Sequence, residues 1–306
     1  MKIFAIIPVH NRLSHTRGIL EALRKQTIRE SITIIVVDDG STDGTAEYLR
    51  AQVDVITLRG DGGLWWAGAV ELGVQSALAS AADDDFILLL NNDTTFDEAY
   101  VGGLVDVYRS NPGSLVGSVL HEVGSMPSLV SIGPRINLNR VAIWDRLREL
   151  SAEERCNLAP IYKVDALAGR GTLVPVYAMR KFGTLRPRLL PHYLADYEFS
   201  VRMKKNGMKL LVSSRAQVWS PPVYGNSSNR FSGISKYFSR GSPKSLLNIL
   251  TFYMLAGNLL QRMTAPMRVM LFMLAGNLLH RMSAPMRAML FYAHREYLRH
   301  KTVGDK

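Results

Sequence analysis

The first 120 residues alternate between short apolar runs and helical patterns, and this alternation constrains the fold more than any other feature of the sequence. Three runs rich in aliphatic and β-branched residues are predicted strands: Ile3–Val9, Ile32–Val37 and Phe86–Leu90. Predicted helices lie between them, at Gly18–Gln26 after a Ser14 N-cap, at Thr45–Ala51 and at Trp66–Ser80. Nearly continuous apolar strands separated by helices are typical of a mostly parallel sheet with helices on both faces.

Polar residues follow each of the predicted strands. The three clusters are Pro8-Val9-His10-Asn11-Arg12, Asp38-Asp39-Gly40-Ser41 and Asn91-Asn92-Asp93. In sheets of this kind ligands bind outside the carboxyl ends of the strands, so we expect the clusters to converge on one rim. A simple turn explains the second cluster equally well, because Asp, Ser and Gly are turn formers.

The acids near the rim suit a reaction that uses a nucleoside diphosphate. A strand-end carboxylate can hold a base and ribose, and a divalent cation held by one or two protein oxygens can neutralise the diphosphate. Asp93 is the candidate cation ligand, although an acid that begins a loop would look the same. Asp196 is a candidate general base toward an acceptor hydroxyl. The helix dipole alone also favours an acid there, and Glu198 can pair with Arg202 four residues on.

The elements around Asp196 are predicted from weaker patterns. The segment "VDALAGRGTLVP" (164–175) predicts a strand that runs into a glycine loop. A helix is predicted from about Asp196 to Gly207, with Gly207 just past its C-cap, and a strand at Lys209–Val212 follows.

Charge is distributed unevenly along the chain, whose net charge is +11. Residues 1–198 carry 20 Lys+Arg and 24 Asp+Glu, whereas residues 199–306 carry 17 and 2, a net charge of +15. A basic last third suggests an anionic partner, either lipid headgroups or nucleic acid, unless it is only a solvated face. The tail lacks interleaved aromatic residues and a recognition motif, so we expect no nucleic-acid partner.

The tail also contains a tandem repeat. Residues 254–272 recur as 273–291 with sixteen of nineteen positions identical. The apolar stretch at about Leu246–Leu260 contains Asn248 and Asn258, and it is too short and too polar to span a membrane. We expect amphipathic helices that lie on an anionic membrane surface, and the alternative is a helical hairpin packed on the protein.

Length and composition favour one globular unit with an appendage. The chain has 306 residues, of which 47% are hydrophobic, and Cys156 is its only cysteine, so an internal disulfide is impossible. The start, "MKIFAIIPVHNR", lacks the long apolar region of a signal peptide, and we interpret it as a strand of the mature fold. These features favour a reducing, cytoplasmic compartment.

The joint pattern "IIPVHNR…VVDDGSTDGT…LLLNNDT…LADYEFSVR" resembles the inverting nucleotide-sugar transferases of glycosyltransferase family 2. The resemblance covers about residues 1–225 and implies a GT-A fold, an α/β architecture with a Rossmann-like, mostly parallel sheet. Residues 226–306 would then form a basic amphipathic helical tail. "GLWWAGAVELG" and "GRGTLVP…LPHYLADYEF" resemble the rhamnosyltransferase-like bacterial members that build surface polysaccharides.

The resemblance implies a role for each matching residue. The nucleotide would be bound by Pro8, His10, Arg12, Asp38, Asp39, Gly63, Gly68 and Asn91. The cation, Mn²⁺ or Mg²⁺, would be held by Asp93, and the catalytic base would be Asp196. The donor sugar and acceptor would be met by Trp65, Trp66, Asn92, Gly169, Arg170, Gly171 and Glu198, although Trp65 and Trp66 are equally explained as core residues. One departure weakens the metal prediction, because Asn91 replaces the first aspartate of the family's Asp-x-Asp motif.

The implied activity is transfer of a sugar from a UDP- or dTDP-sugar to a hydroxyl of a saccharide acceptor, which surface-polysaccharide assembly usually carries on polyprenyl lipid. The basic tail would then hold the enzyme on the inner face of the plasma membrane. The alternative is a non-catalytic scaffold of the same fold within a membrane polysaccharide complex. The joint presence of Asp93 and Asp196 favours the enzyme.

Overall fold

The computed structural model describes residues 1–124, 128–221 and 235–281. Its strands are β1 (Ile3–Val9), β2 (Ile32–Asp38), β3 (Val55–Arg59), β4 (Phe86–Leu89), β5 (Ser114–Glu122), β6 (Ser128–Ser131), β7 (Pro134–Asn137), β8 (Ala142–Asp145), β9 (Ile161–Lys163), β10 (Thr172–Pro175) and β11 (Lys209–Ser220). Its α-helices are α1 (Leu13–Arg24), α2 (Thr45–Arg50), α3 (Trp65–Leu78), α4 (Tyr100–Ser110), α5 (Ala152–Cys156), α6 (Val176–Phe182), α7 (Ala195–Lys205), α8 (Ser235–Phe238), α9 (Leu246–Ala256) and α10 (Leu259–Arg281). Short 3₁₀ turns occupy Arg29–Ser31 and Arg146–Glu149.

The central sheet is mostly parallel, as predicted. Its strand order is β3-β2-β1-β4-β10-β5-β11-β9, and β6 pairs with β5. The first four strands are parallel to one another, and β5 is parallel to β11. β10 lies antiparallel between β4 and β5. A separate hairpin of β7 and β8 stands off this sheet.

Helices cover both faces of the sheet. Side chains along β1 point alternately to the two faces, so they join two different buried clusters. Phe4 and Ile6 join the cluster that includes α3, α6 and α7. Ile3, Ala5 and Ile7 join the cluster that includes α1 and α4. This confirms the predicted three-layer α/β architecture and places the carboxyl ends of β1, β2 and β4 at one rim.

Three local predictions differ from the structure. Helix α1 begins at Leu13, so Ser14 is not its N-cap. The Leu13 N–H donates instead to the Asp43 carboxylate (2.9 Å), which lies in the loop after β2. The segment 164–175 has the opposite order to the prediction, with the glycine loop first and β10 after it. Strand β11 continues to Ser220, eight residues past the predicted end, because it pairs with β5 over most of its length.

The end of α7 agrees with the prediction. Gly207 has a φ of +90° and follows the C-cap residue Asn206. The N–H of Met208 donates to the Met203 carbonyl, and the N–H of Gly207 donates to the Lys204 carbonyl (both 3.1 Å). These two bonds are the Schellman arrangement that favours glycine at this position.

The first part of the tail packs on the rest of the chain. A third buried cluster joins Phe252, Tyr253 and Ala256 of α9 to Ala265 and Val269 of α10. Val141 and Val201 belong to the same cluster, and four residues of the β7–β8 hairpin and the start of α7 pack against it: Ile136, Ile143, Leu194 and Tyr197. The predicted alternative of a packed helical pair therefore holds for this part of the tail. Residues 282–291, the end of the second repeat, lie outside the described residues.

The outer face of the tail helices is apolar. On α10 the exposed residues Leu259, Leu260, Met263, Met267 and Met270 recur at helical spacing, and we call them the α10 stripe. Leu247 and Met254 of α9 are exposed as well. Within the described ranges, no helix is both long enough and apolar enough to cross a bilayer.

Candidate active site

A cavity of ≈ 950 Å³ opens at the rim formed by the ends of β1, β2 and β4. Of the residues predicted to form the site, those that line it are Pro8, His10, Arg12, Asp39, Trp65, Trp66, Asn91, Asn92, Asp93, Gly169, Arg170 and Asp196. The other five predicted residues are not part of its lining: Asp38, Gly63, Gly68, Gly171 and Glu198. Three acids from separate segments, Asp39, Asp93 and Asp196, therefore face one cavity.

The Asp39 carboxylate organises the loop that leads into α3. Its Oδ1 accepts the N–H of Gly62 (2.8 Å), and its Oδ2 accepts those of Leu64 (3.0 Å) and Trp65 (3.2 Å). His10 Nδ1 lies 2.6 Å from the backbone carbonyl of Asp39. Asp39 thus contacts the end of β1 through its backbone carbonyl and the loop through its carboxylate, and it shapes the wall on which a base and ribose would rest.

Three predicted residues near Asp39, namely Asp38, Gly63 and Gly68, lie outside the cavity lining. Asp38 is buried and accepts the Ser41 N–H (3.0 Å), so it stabilises the turn, as expected. Gly63 is exposed, and its N–H donates to the Asp61 carboxylate (2.9 Å). Gly68 lies within α3 and faces the Leu64 and Pro187 side chains. Neither glycine contributes backbone to the cavity surface.

Asp93 has one paired and one unpaired carboxylate oxygen. Nη1 of Arg12 lies 2.6 Å from its Oδ2. Its Oδ1 is buried and has no hydrogen-bond partner among the described residues. Asn91, two residues earlier, accepts the indole N–H of Trp66 on its Oδ1 (2.9 Å). The amide of Asn92 is buried and donates to Thr16 Oγ1 at 3.5 Å.

The glycine loop before β10 closes tightly on this cluster. A methyl group at Gly169 would overlap the Trp66 ring, so only glycine fits there. Gly171 has a φ of +85°, and a methyl group there would overlap the Tyr100 hydroxyl. Its N–H donates to the Leu89 carbonyl (2.7 Å), which joins the loop to the end of β4. Gly171 therefore shapes the turn rather than lining the cavity.

Asp196 occupies the first turn of α7 and is partly buried. Its Oδ2 accepts the Gly169 N–H and its Oδ1 accepts the Tyr197 N–H, each at 2.9 Å. Burial raises the pKa of the Asp196 carboxyl, and the two N–H donors oppose that effect. The result is a fixed carboxylate at the cavity wall with a basicity above that of an ordinary aspartate.

Glu198 faces away from the cavity and forms ion pairs. Its carboxylate is 3% exposed and lies 3.0 Å from Nε of Arg202 and 3.4 Å from Nη1 of Arg186. The sequence offered a simpler explanation for Glu198, an ion pair with Arg202 on the same helix, and the structure contains this ion pair. Contact with the donor sugar or acceptor is not supported for this residue.

Strained backbone surrounds the cavity. In the described part of the chain, four residues other than glycine have positive φ: Asn11, Trp65, Val141 and Leu194. Trp65, Val141 and Leu194 line the cavity, and Asn11 lies between the lining residues His10 and Arg12. Such conformations cost roughly 1–3 kcal/mol each and persist where surrounding structure holds them, which is common at functional sites.

Several lining residues were not predicted from the sequence. His192 lies 5.8 Å from Trp65 between ring centroids, and its Nδ1 is buried without a partner among the described residues. Burial lowers the pKa of His192 to about 4, so the ring is neutral at physiological pH. The far wall contains Val141, Ile143, Ile249 and Tyr253. The aromatic-rich sequence around His192 was the feature that could have indicated this residue. Val141, Ile143, Ile249 and Tyr253 lie in a hairpin and a tail helix whose sequences contain no site motif.

A divalent cation fits this site only if the protein and a bound diphosphate share its coordination. Within the described ranges, no group of three or more His, Cys, Asp and Glu side chains could hold a metal ion. Asp93 Oδ1 is buried and has no hydrogen-bond partner in the described segments, which suits a single carboxylate contact to a cation. Mg²⁺ and Mn²⁺ bound with nucleotides usually take only one or two protein oxygens and complete their shell with phosphate and water. The residues present therefore fit a cation that arrives with a diphosphate.

Comparison with known proteins agrees with this geometry. Residues 4–150 match the family model described as glycosyl transferase family 2. GalNAc-T7, solved with UDP, GalNAc and Mn²⁺, aligns with a TM-score of 0.61 and 15% identity over 83% of this chain and 47% of its own. The chain thus spans about half the length of that protein.

Two further solved structures share the fold. TarS 1–349 from S. aureus in complex with UDP-GlcNAc aligns with a TM-score of 0.56 and 13% identity, over 89% of this chain and 72% of its own. The mannosyltransferase PcManGT from Pyrobaculum calidifontis was solved with GDP-Man and Mn²⁺. It aligns with a TM-score of 0.53 and 14% identity, over 97% of this chain and 80% of its own. At these identities the likeness shows the fold alone. Residues 4–150 of this chain therefore form a glycosyltransferase family 2 domain, and the chain has a GT-A fold.

Proposed function

We propose that this protein is an inverting glycosyltransferase that moves a sugar from a nucleoside diphosphate sugar to an acceptor hydroxyl. The observation that carries the proposal is the shared cavity of Asp39, Asp93 and Asp196, which come from three distant segments. In this proposal each acid serves a different part of the reaction: Asp39 the nucleoside, Asp93 the diphosphate and Asp196 the acceptor. The sheet rim at which these polar strand ends meet is also the place where ligands bind in open α/β sheets.

The nucleotide would lie over the ends of β1 and β2. Pro8 and His10 line this end of the cavity together with Asp39, whose carboxylate already holds the loop before α3. UDP or dTDP is the expected nucleotide, and similar folds have been solved with UDP and with GDP-mannose. Transfer of a hexosyl or rhamnosyl group is consistent with the sequence resemblance.

The diphosphate would lie beside Arg12 and Asp93. A divalent cation held by Asp93 would supply Lewis-acid stabilisation of the charge that develops on the leaving diphosphate. Arg12 adds a positive charge at the same place, and its pairing with Asp93 orients the carboxylate before the donor binds. Asn91 holds the Trp66 ring, which together with Gly169 closes this side of the cavity.

Asp196 would accept the proton of the acceptor hydroxyl while that oxygen attacks the anomeric carbon. The new glycosidic C–O bond forms as the bond from the anomeric carbon to the diphosphate oxygen breaks, so the configuration inverts and the nucleoside diphosphate leaves. The raised pKa of Asp196 makes it a better proton acceptor than an ordinary aspartate. The N–H groups of Gly169 and Tyr197 fix its direction.

The acceptor is proposed to be a lipid-linked saccharide at the inner face of the plasma membrane, as in surface-polysaccharide synthesis. The α10 stripe exposes five apolar side chains, and Arg262 and Arg268 lie on the same helix. Residues 199–295 contain no Asp or Glu. An apolar helix face within a basic segment is suited to an anionic membrane surface.

A donor screen tests the proposed activity. Thermal unfolding is measured with UDP, dTDP and GDP, each with and without Mn²⁺ or Mg²⁺, followed by assays of diphosphate release from the matching sugars. A ligand at 100 times its Kd stabilises the folded state by about 2.7 kcal/mol, which is readily detected. We expect one nucleotide to stabilise the protein only when a metal is present. If none of them raises the unfolding temperature and none of the sugars releases its nucleotide, the proposal fails.

A further inference from the structure

The lining of the cavity contains two sets of residues that differ in chemistry. One set is polar and contains the residues assigned above to the donor. The other set is mainly apolar and consists of Val141, Ile143, Leu194, Ile249 and Tyr253. All five belong to the third buried cluster or pack against it, so they form one continuous wall.

This apolar wall adjoins the proposed catalytic base. Leu194 and Tyr197 flank Asp196 in sequence, and both pack against the cluster that contains Tyr253. Tyr197 also lines the cavity itself. A molecule whose hydroxyl reaches Asp196 would therefore place its adjoining part against this wall.

Tyr253 has an unusual environment for a buried tyrosine. It is 4% exposed, and among the described residues its hydroxyl has no hydrogen-bond partner. A buried tyrosine hydroxyl normally finds a partner, because leaving it unpaired is unfavourable. By contrast, the hydroxyl of the equally buried Tyr100 lies 2.7 Å from Ser118 Oγ. Within the described part of the chain, the Tyr253 hydroxyl is therefore available to a ligand that enters the cavity.

We propose that the wall formed by Val141, Ile143, Leu194, Ile249 and Tyr253 is an acceptor subsite for a glycoside with an apolar aglycone, with the Tyr253 hydroxyl bonded to an acceptor oxygen. This inference rests on the proposed function and names the acceptor class for the same cavity. Helix α9 then serves two surfaces. Ile249 and Tyr253 face the cavity, whereas Leu247 and Met254 are exposed outside.

Binding of simple glycosides tests the subsite without knowledge of the natural acceptor. The probes are octyl and methyl glycosides of glucose, galactose, rhamnose and N-acetylglucosamine, kept below their micelle concentrations and titrated by calorimetry against the full chain. We expect at least one octyl glycoside to bind about tenfold or more tightly than its methyl counterpart, because each buried methylene favours binding. Equal affinity of every pair, or no binding by any of the eight probes, overturns the proposal.

Two variants locate the binding. Ile249→Asn is expected to abolish the octyl preference, and Tyr253→Phe to weaken octyl glycoside binding about tenfold. Met263→Gln on the exposed α10 stripe is the matched control and should leave both unchanged. If Met263→Gln removes the preference while Ile249→Asn and Tyr253→Phe retain it, the probes bind the outer surface and the subsite is wrong.

Stability measurements separate a ligand role from a structural one. Tyr253→Phe should leave the unfolding temperature unchanged or raise it, because the hydroxyl has no hydrogen-bond partner among the described residues. Tyr100→Phe should lower it, because the bond to Ser118 is lost. A fall for Tyr253→Phe as large as that for Tyr100→Phe would contradict the assignment. Stabilisation by UDP with Mn²⁺ is recorded in parallel, so failure of the donor proposal is seen separately from failure of the acceptor subsite.

Discussion

Arg12 and Asp93 form an ion pair at the rim of the cavity, with Nη1 of the arginine 2.6 Å from Oδ2 of the aspartate. The other oxygen of that carboxylate, Oδ1, is buried without a partner in the described chain. One oxygen is therefore oriented by the protein, and the other is left for a ligand. In the proposed role of Asp93, one carboxylate oxygen pairs with the Arg12 guanidinium and the other binds the divalent metal ion.

Asp93→Asn should abolish metal-dependent transfer while leaving the fold intact. Partly exposed ion pairs contribute about 0–1 kcal/mol, so loss of the Arg12 pair should change the unfolding free energy little. We expect the rate of diphosphate release to fall at least about 100-fold, since the charge that holds the cation is gone. Asp54→Asn is the matched control, because Asp54 pairs with Arg24 and Arg29 outside the cavity lining. Undiminished, metal-dependent transfer by Asp93→Asn would remove Asp93 from the mechanism.

His192→Gln should make stability less sensitive to mildly acidic pH. The pKa of His192 is about 4 in the folded protein and near 6.5 in an unfolded chain, so only the unfolded chain takes up a proton between these values. Wild-type stability is therefore unaffected by His192 above pH 6.5 and falls as pH decreases from 6.5 toward 4. The loss by pH 5 is at most about 2 kcal/mol.

Urea unfolding at pH 7, 6 and 5 measures this effect. We expect the wild type to lose more stability between pH 7 and 5 than His192→Gln does. His15→Gln, a change at an exposed histidine on α1, should behave like the wild type. Parallel pH curves for the wild type and His192→Gln would show that burial does not control this ring.

Gly169→Ala should destabilise the protein and impair transfer. Its methyl group would overlap the Trp66 ring, which cannot move freely because its N–H is bonded to Asn91. Overpacking of this kind typically costs about 1–3 kcal/mol. Gly18→Ala is the matched control, because nothing lies within 4 Å of the added methyl in α1 and alanine favours the helix by about 0.5–1 kcal/mol. Thermal unfolding should move in opposite directions for the two variants, and a neutral Gly169→Ala would contradict the close packing.

Charged substitutions in the α10 stripe should reduce membrane binding. Met263 and Met267 are 75% and 54% exposed, so glutamate at both positions should not disturb the core. Co-sedimentation with phosphatidylglycerol-containing vesicles should fall for the double variant Met263→Glu/Met267→Glu. Val53→Glu, at a fully exposed position far from the tail in sequence, should bind as the wild type does. If the double variant sediments with the vesicles as the wild type does, the stripe is not a membrane surface.

The convergence of the strand ends was predictable from the sequence because it follows from local patterns. Apolar runs at 3–9, 32–38 and 86–89 form parallel neighbours, and parallel neighbours end at one rim. His10, Asp39 and Asp93 then meet without any further information. The position of Asp196 at a helix start was equally visible, since acids and turn residues mark such starts.

The remaining features depend on tertiary contacts that local patterns do not encode. Ser14 is a good N-cap by composition, but Asp43 reaches the helix terminus from another loop. Val164, Ala166 and Leu167 are apolar because they are buried, yet they precede β10, so the apolar pattern of segment 164–175 predicted a strand in the wrong place. Ile249 and Tyr253 reach the cavity only because α9 packs on α7 and the β7–β8 hairpin.

Transfer by Asp196→Asn, measured beside its nucleotide binding, tests the central claim most directly. The variant keeps the shape of the side chain but cannot accept a proton, and loss of a general base typically costs about 10²–10⁴-fold in rate. We predict that diphosphate release in the presence of acceptor falls by this factor while UDP or dTDP with metal still stabilises the protein as in the wild type. Asp106→Asn, an exposed acid on α4, serves as control. A wild-type transfer rate in Asp196→Asn would contradict the account.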